Sequence, residues 1–329
     1  MFDLLRIWER LENEDAYKNG YARLRVEPKA CCDIFIGLRK PDNERCMILE
    51  VEEGAIRHGT RYPRSNSFDV FPLRIPSEGK VRITLLLNDN RYSDIFSALL
   101  IDQVKNILLK NEQREAVDDF VARLFRWQMF FLNNPEGLSE ESQKGLYGEL
   151  WFIRDFLIPR LGTLNALKSW VGPEKANQDF QLSGKAIEIK SSSGINGTVR
   201  ISNKRQLDQT GFSQLYLVHF TLDIHADRDN TLPELIDEIR SILDQQSSIL
   251  FEDKLMEYGY LEVHRDRYGY SKYSLRNVQF YEVRDGFPRI TEQNIMQGIK
   301  EVSYSISMDA CLPYVVSPDN LFRNIEEGR

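Results

Sequence analysis

Two short runs of alternating residues around a Ser-Gly dipeptide constrain this chain more than any other feature. They read Asn177-Gln178-Asp179-Phe180-Gln181-Leu182-Ser183-Gly184-Lys185-Ala186-Ile187-Glu188-Ile189-Lys190. Ser-Gly between such runs is hairpin chemistry. A two-residue turn sets Leu182 opposite Lys185, Phe180 opposite Ile187 and Asp179 opposite Glu188. Strand alternation then sends Phe180, Leu182, Ile187 and Ile189 to one face and Asp179, Gln181, Glu188 and Lys190 to the other, with Lys190 about 6.6 Å along from Glu188. The apolar face belongs to a core. The polar face is a candidate site.

Like charges directly opposite each other in a ladder are destabilising. At about 5 Å and an effective dielectric near 20 the repulsion between Asp179 and Glu188 is on the order of 3 kcal/mol. A divalent cation removes the problem. Two carboxylates suit Mg²⁺, which keeps several waters and completes its shell from a substrate phosphate. Lys190, one pleat from Glu188, is placed to orient a water or to stabilise charge growing on a phosphorane-like transition state. Upstream, Glu149 falls within an apolar helical stripe formed by Leu146, Phe152, Ile153 and Phe156. A carboxylate on a core-facing stripe needs a partner, and the same metal site supplies one.

The rest of the chain reads as follows. Residues 1–92 form a β-rich N-terminal domain, with strands expected at Arg23–Val26, Asp33–Leu38, Met47–Val51, Phe68–Ile75 and Val81–Leu87. Residues 93–135 shift to a 3.6-residue period and form connecting core helices, ended by Asn133-Asn134-Pro135-Glu136-Gly137. Residues 136–257 hold the α/β core: a helix from Ser139 to Leu157, the motif hairpin, strands at Thr198–Ile201 and Leu215–Leu222, a short helix at Asn203–Asp208, and helical segments at 231–243 and 249–256. Residues 258–329 form a β-rich C-terminal elaboration, with a turn at Asp285-Gly286.

Together these residues resemble the PD-(D/E)XK nuclease superfamily, whose core places an acidic residue on a first helix, Asp on one strand and (D/E)XK on the next. Gly148-Glu149-Leu150, Asp179 and Glu188-Ile189-Lys190 fill those places. With Ile201-Ser202-Asn203-Lys204-Arg205-Gln206-Leu207, the set is similar to a PD-(D/E)XK-motif family found beside restriction-like antiphage systems. The resemblance implies a restriction-endonuclease-like α/β fold, a mixed-sheet core flanked by helices. It implies Mg²⁺-dependent DNA cleavage, with Mn²⁺ as a substitute. Asp179, Glu188, Ile189 and Glu149 form the metal set, Lys190 is the catalytic lysine, and Gln206 matches a glutamine that some members carry on the helix after the motif strand. Gln178 stands where the motif has Pro. The rival reading is an inactive core of this fold used as a DNA-binding or assembly adaptor.

Charge narrows the partners. Forty-three basic against 50 acidic side chains leave −7, which argues against general coating of nucleic acid or anionic membranes. Locally the sign reverses: Lys185, Lys190, Arg200, Lys204 and Arg205 face only Glu188 between Ser183 and Gln206. Ser192, Arg200, Lys204 and Arg205 are therefore candidate DNA contacts. The mix of Arg265, Arg267, Lys272 and Arg276 with Tyr268, Tyr270 and Tyr273 is a further candidate. His58, His219, His225 and His264 have no mutual metal spacing. No Walker A loop, GxGxxG, HExxH or GxSxG is present. ATPase or methyltransferase functions, where a defence system needs them, are expected from other proteins. Four cysteines without a framework, an N-terminus broken by charge and no long apolar run point to the cytoplasm and away from membranes.

Overall fold

The computed structural model describes residues 2–14, 18–193, 197–225 and 230–326, the side chains of 225 and 323–326 excepted. The chain clusters into two compact units, Met1–Glu136 and Gly137–Arg329.

In the first unit, helix α1 (Leu4–Glu12) is capped by the Asp3 carboxylate and buries Leu4, Trp8 and Leu11. Strands β1 (Gly20–Val26), β2 (Asp33–Lys40), β3 (Glu44–Glu52), β4 (Phe68–Ile75) and β5 (Lys80–Leu87) form an antiparallel sheet in the order β1-β2-β3-β5-β4. Alternation buries Ile34, Ile36 and Leu38 on β2 and Met47, Leu49 and Val51 on β3. Helices α2 (Ser93–Ile107) and α3 (Gln113–Asn133) bury the residues that their period marks, among them Leu99, Leu100, Val104, Val117, Phe120 and Leu124.

The second unit opens with α4 (Glu140–Phe152), whose N-cap Ser139 accepts from the Ser142 N–H. The chain runs on through a π-turn at Ile153–Leu157 into α5 (Ile158–Leu161) and α6 (Thr163–Ser169). There follow β6 (Phe180–Leu182), β7 (Lys185–Ser193), β8 (Thr198–Ile201), β9 (Gln214–His225) and β10 (Asn230–Thr231). Next come α7 (Leu232–Ile242), with a Thr231/Glu234 capping box, and α8 (Gln245–Tyr258). The unit finishes with β11 (Lys272–Glu282), β12 (Tyr304–Ser307), α9 (Met308–Cys311), β13 (Val315–Val316) and α10 (Pro318–Glu326).

The main sheet has the order β10-β11-β9-β7-β6, with β13 on β11, while β8 and β12 make a separate ribbon. It is mixed, because β7 runs parallel to β9 and antiparallel to β6. Both faces of β7 are covered. Ile187 and Ile189 join a core with α4, α7 and α8, and Ala186 joins another with β8 and β12. The expected mixed-sheet core flanked by helices is what the chain builds.

The hairpin register is the expected one: Phe180 pairs with Ile187 and Leu182 with Lys185. Ser183 and Gly184 both take positive φ, 46° and 79°, as a tight turn between right-twisted strands requires. The helix expected at Asn203–Asp208 is instead a run of turns. The Asn203 side chain accepts from the Arg205 N–H and offers the backbone an alternative to helix. Gln206 accordingly sits on a turn and not on a helix.

Candidate active site

Glu188 and Lys190 lie on β7, a strand flanked on both sides, so their side chains leave the backbone inside the protein. Glu188 is 1% exposed. The Lys190 ammonium stands 2.8 Å from Glu188 Oε1 as an ion pair and donates to Gln206 Oε1 at 3.2 Å. Apart from that ion pair, neither Glu188 oxygen has a hydrogen-bond partner among the described residues. Burial, and then the Asp179 charge, push the Glu188 carboxyl up to about 8, against the opposing pull of Lys190.

Asp179 is held just before β6. Its carbonyl accepts from the Val171 and Gly172 N–H groups at 2.8 and 3.0 Å, and its Oδ2 accepts from the Ile189 N–H at 2.7 Å. Burial raises its carboxyl to about 6, while Lys190 and the Ile189 N–H oppose the rise. Glu149, on the buried stripe of α4, completes the acidic set. Its Oε2 accepts from Trp170 Nε1 at 2.6 Å and its Oε1 from the Tyr258 hydroxyl at 3.1 Å. Burial, followed by the Asp179 charge, holds its carboxyl well above the usual range.

Two glycines set the spacing. A Cβ on Gly172 would stand 3.1 Å from Asp179 Oδ1 and 3.3 Å from Glu149 Oε2, so both carboxylates press on one residue without a side chain. A Cβ on Gly148 would fall 2.1 Å from Ser191 Oγ, and its absence lets α4 approach β7. Gln178, in the motif's proline position, is buried and donates from Nε2 to the Arg205 carbonyl at 2.7 Å, tying the 203–208 turns to the hairpin. Gln206 Oε1 also accepts from the Ser202 N–H at 2.8 Å.

Glu149, Asp179, Glu188, Lys190 and Gln206 thus converge, through direct contacts or through Ile189 and Gly172. The candidate DNA contacts separate. Ser192 lies on β7, where its Oγ is 2.7 Å from Nε2 of His219, an imidazole that burial brings down to about 4 and so keeps neutral. Arg200, Lys204 and Arg205 line a polar cleft of about 800 Å³ with Asn177, Ser202 and Lys300. In the tyrosine-arginine stretch, Tyr268 and Tyr273 are buried, Arg265 pairs with Asp237 and Glu262, Arg276 pairs with Asp223, and Tyr270 is 82% exposed. The side chain of His225 lies outside the described residues.

Sequence reasoning did not find Trp170 and Tyr258, the donors to Glu149. The one local signal was a large aromatic with a polar edge near the motif, since a buried indole N–H usually finds an acceptor. No group of three or more His, Cys, Asp or Glu side chains among the described residues is arranged to hold an ion as it stands. A divalent cation nonetheless fits the donors present. Glu188 offers two buried oxygens that, the Lys190 ion pair apart, have no hydrogen-bond partner among the described residues, next to a second carboxylate on Asp179.

An Asp at the entry to one strand and a Glu-x-Lys on its antiparallel neighbour in a mixed sheet, backed by a Glu on the packed helix, define a PD-(D/E)XK nuclease-like core. The chain belongs to the family described as "Putative PD-(D/E)XK family member, (DUF4420)", whose model matches residues 4–309. PD-(D/E)XK nucleases generally use divalent metal ions. No curated protein and no solved structure matches the chain.

Proposed function

We propose that the protein is a Mg²⁺-dependent DNA endonuclease serving a prokaryotic restriction-like antiphage system, with Mn²⁺ able to replace Mg²⁺. The observation that carries this reading is Glu188, a buried carboxylate whose oxygens, the Lys190 ion pair apart, have no hydrogen-bond partner among the described residues and lie beside a second carboxylate. Perturbed ionisable groups of this kind concentrate at functional sites.

Asp179, Glu188 and the Ile189 carbonyl would hold the ion. Glu149 stands behind them, and each of its oxygens keeps a second lone pair beyond the bonds to Trp170 and Tyr258. When bound, the ion neutralises the carboxylates and polarises the scissile phosphate. Lys190 orients the attacking water or stabilises charge growing on the phosphate oxygens. Gln206, accepting from the Lys190 ammonium, fixes where that charge points. The cleft carrying Arg200 and Arg205 supplies backbone contacts to DNA.

The antiphage setting, and with it partners such as ATPase or methyltransferase subunits, rests on the family resemblance. A cytoplasmic location fits the four free cysteines. No described helix is long and apolar enough to cross a membrane.

The test is plasmid cleavage in Mg²⁺ by the wild type and by Lys190→Ala. Cleavage is expected to vanish in the variant while DNA affinity stays nearly intact, because one lysine among several cations acts mainly on the transition state. Ca²⁺, with its larger and looser shell, is expected to support binding without efficient hydrolysis. A variant that cuts at the wild-type rate removes the active-site assignment. A wild type that binds DNA and never cuts it favours the adaptor.

A further inference from the structure

Among the described residues, Lys204 is the one cation of the polar cleft held by a carboxylate. Its ammonium is 2.5 Å from Glu292 Oε2, with the lysine side chain 15% exposed and the glutamate 67%. Arg200, Arg205 and Lys300 line the same cleft and make no ion pair with a described residue. Glu292 begins a short turn, Glu292–Asn294, in a segment pinned on this side of the protein. Arg289 donates to the Leu207 carbonyl at 3.0 Å, and the Ile290 N–H donates to the Tyr304 hydroxyl at 3.0 Å. Tyr304 in turn begins β12, which pairs with the strand that carries Arg200.

A carboxylate oxygen and a phosphate oxygen are alike to an ammonium: both are anionic acceptors. A largely shielded lysine in a cleft lined by three further cations and one other carboxylate, Glu301, and met there by an exposed glutamate, has the chemistry of a phosphate position filled from within.

We propose that Lys204 is a backbone-phosphate contact of the DNA cleft, and that Glu292 occupies it as an internal phosphate surrogate which the incoming strand displaces. Arg200, Arg205 and Lys300 take neighbouring phosphates of the same strand. This rests on the DNA reading above. The free protein then binds DNA more weakly than its cations allow, because each association must first break the Lys204–Glu292 pair and leaves Glu292 close to the polyanion.

The test is anisotropy of a short labelled DNA duplex with the full chain in EDTA, so that cleavage plays no part. Glu292→Gln is expected to tighten binding about tenfold while the slope of log K against log salt stays close to that of the wild type, because Lys204 meets the same phosphate in both complexes. Lys204→Gln should weaken binding, and Lys204→Gln/Glu292→Gln should match Lys204→Gln, because without the lysine the glutamate has nothing to mask. Lys300→Gln should weaken binding in either background. Glu292→Ala repeats the test should the glutamine variant melt lower than wild type. An affinity for Glu292→Gln equal to wild type overturns the proposal. So does a gain that persists without Lys204, since that would be a general effect of charge. If the wild type does not bind duplex even at low salt, the DNA reading itself fails.

Discussion

At the scale of single residues, the site is a group of carboxylates kept where water would normally solvate them. Glu188 has a folded pKa of about 8 against an ordinary value of 4.5, raised by burial and then by Asp179. A carboxyl whose folded pKa is raised is bound more favourably when protonated. Its penalty is absent below 4.5, grows as pH rises and is complete above about 8. Metal-free wild type should therefore lose melting temperature relative to Glu188→Gln across that window. Parallel melting profiles in EDTA from pH 5 to pH 8.5 would show that Glu188 is not strained. The Lys190 ammonium, losing its ion pair in that variant, offsets part of the gain without changing the sign of the slope.

At the scale of elements, the distance between α4 and β7 decides whether Glu149 reaches the site. Gly148→Ala places a Cβ where Ser191 Oγ stands and should cost about 1–3 kcal/mol, the usual penalty for overpacking. Ser191 Oγ is buried without a hydrogen-bond partner among the described residues, and the same Cβ would be an ordinary 3.4 Å from Ser191 Cβ. Gly148→Ala/Ser191→Ala should therefore recover most of the loss in chemical denaturation. A double variant as unstable as Gly148→Ala alone would place the constraint elsewhere. This scale also marks what the sequence could reveal. The hairpin, its register and the apolar stripe around Glu149 were legible because alternation and helical period are local patterns. The donors to Glu149 were not, since Trp170 is 21 residues away and Tyr258 is 109, and only the closed fold brings them in. The helix expected at 203–208 gives way to turns because the Asn203 side-chain bond that competes with it forms only in the folded chain.

For the whole molecule, cation binding and folding stability are one quantity measured in two ways. Ligand at about ten times its dissociation constant adds roughly 1.4 kcal/mol to a protein that binds it only when folded. Mg²⁺ should raise the melting temperature of the wild type accordingly and that of Asp179→Asn by much less. In EDTA above about pH 8, where both carboxyls are ionised, Asp179→Asn should be the more stable protein by roughly 1–3 kcal/mol, because one of two crowded charges is gone. An Asp179→Asn protein that melts lower in EDTA and gains as much from Mg²⁺ would break the link between the two carboxylates. The interior place of β7 also bears on heredity. Its residues alternate between two separate cores, so inserting or deleting one codon between Lys185 and Lys190 would exchange the two core faces along the rest of the strand and pull the site's members apart. Point substitutions can reshape the basic cleft gradually, but a single frame-preserving indel in this stretch abolishes the constellation in one generation.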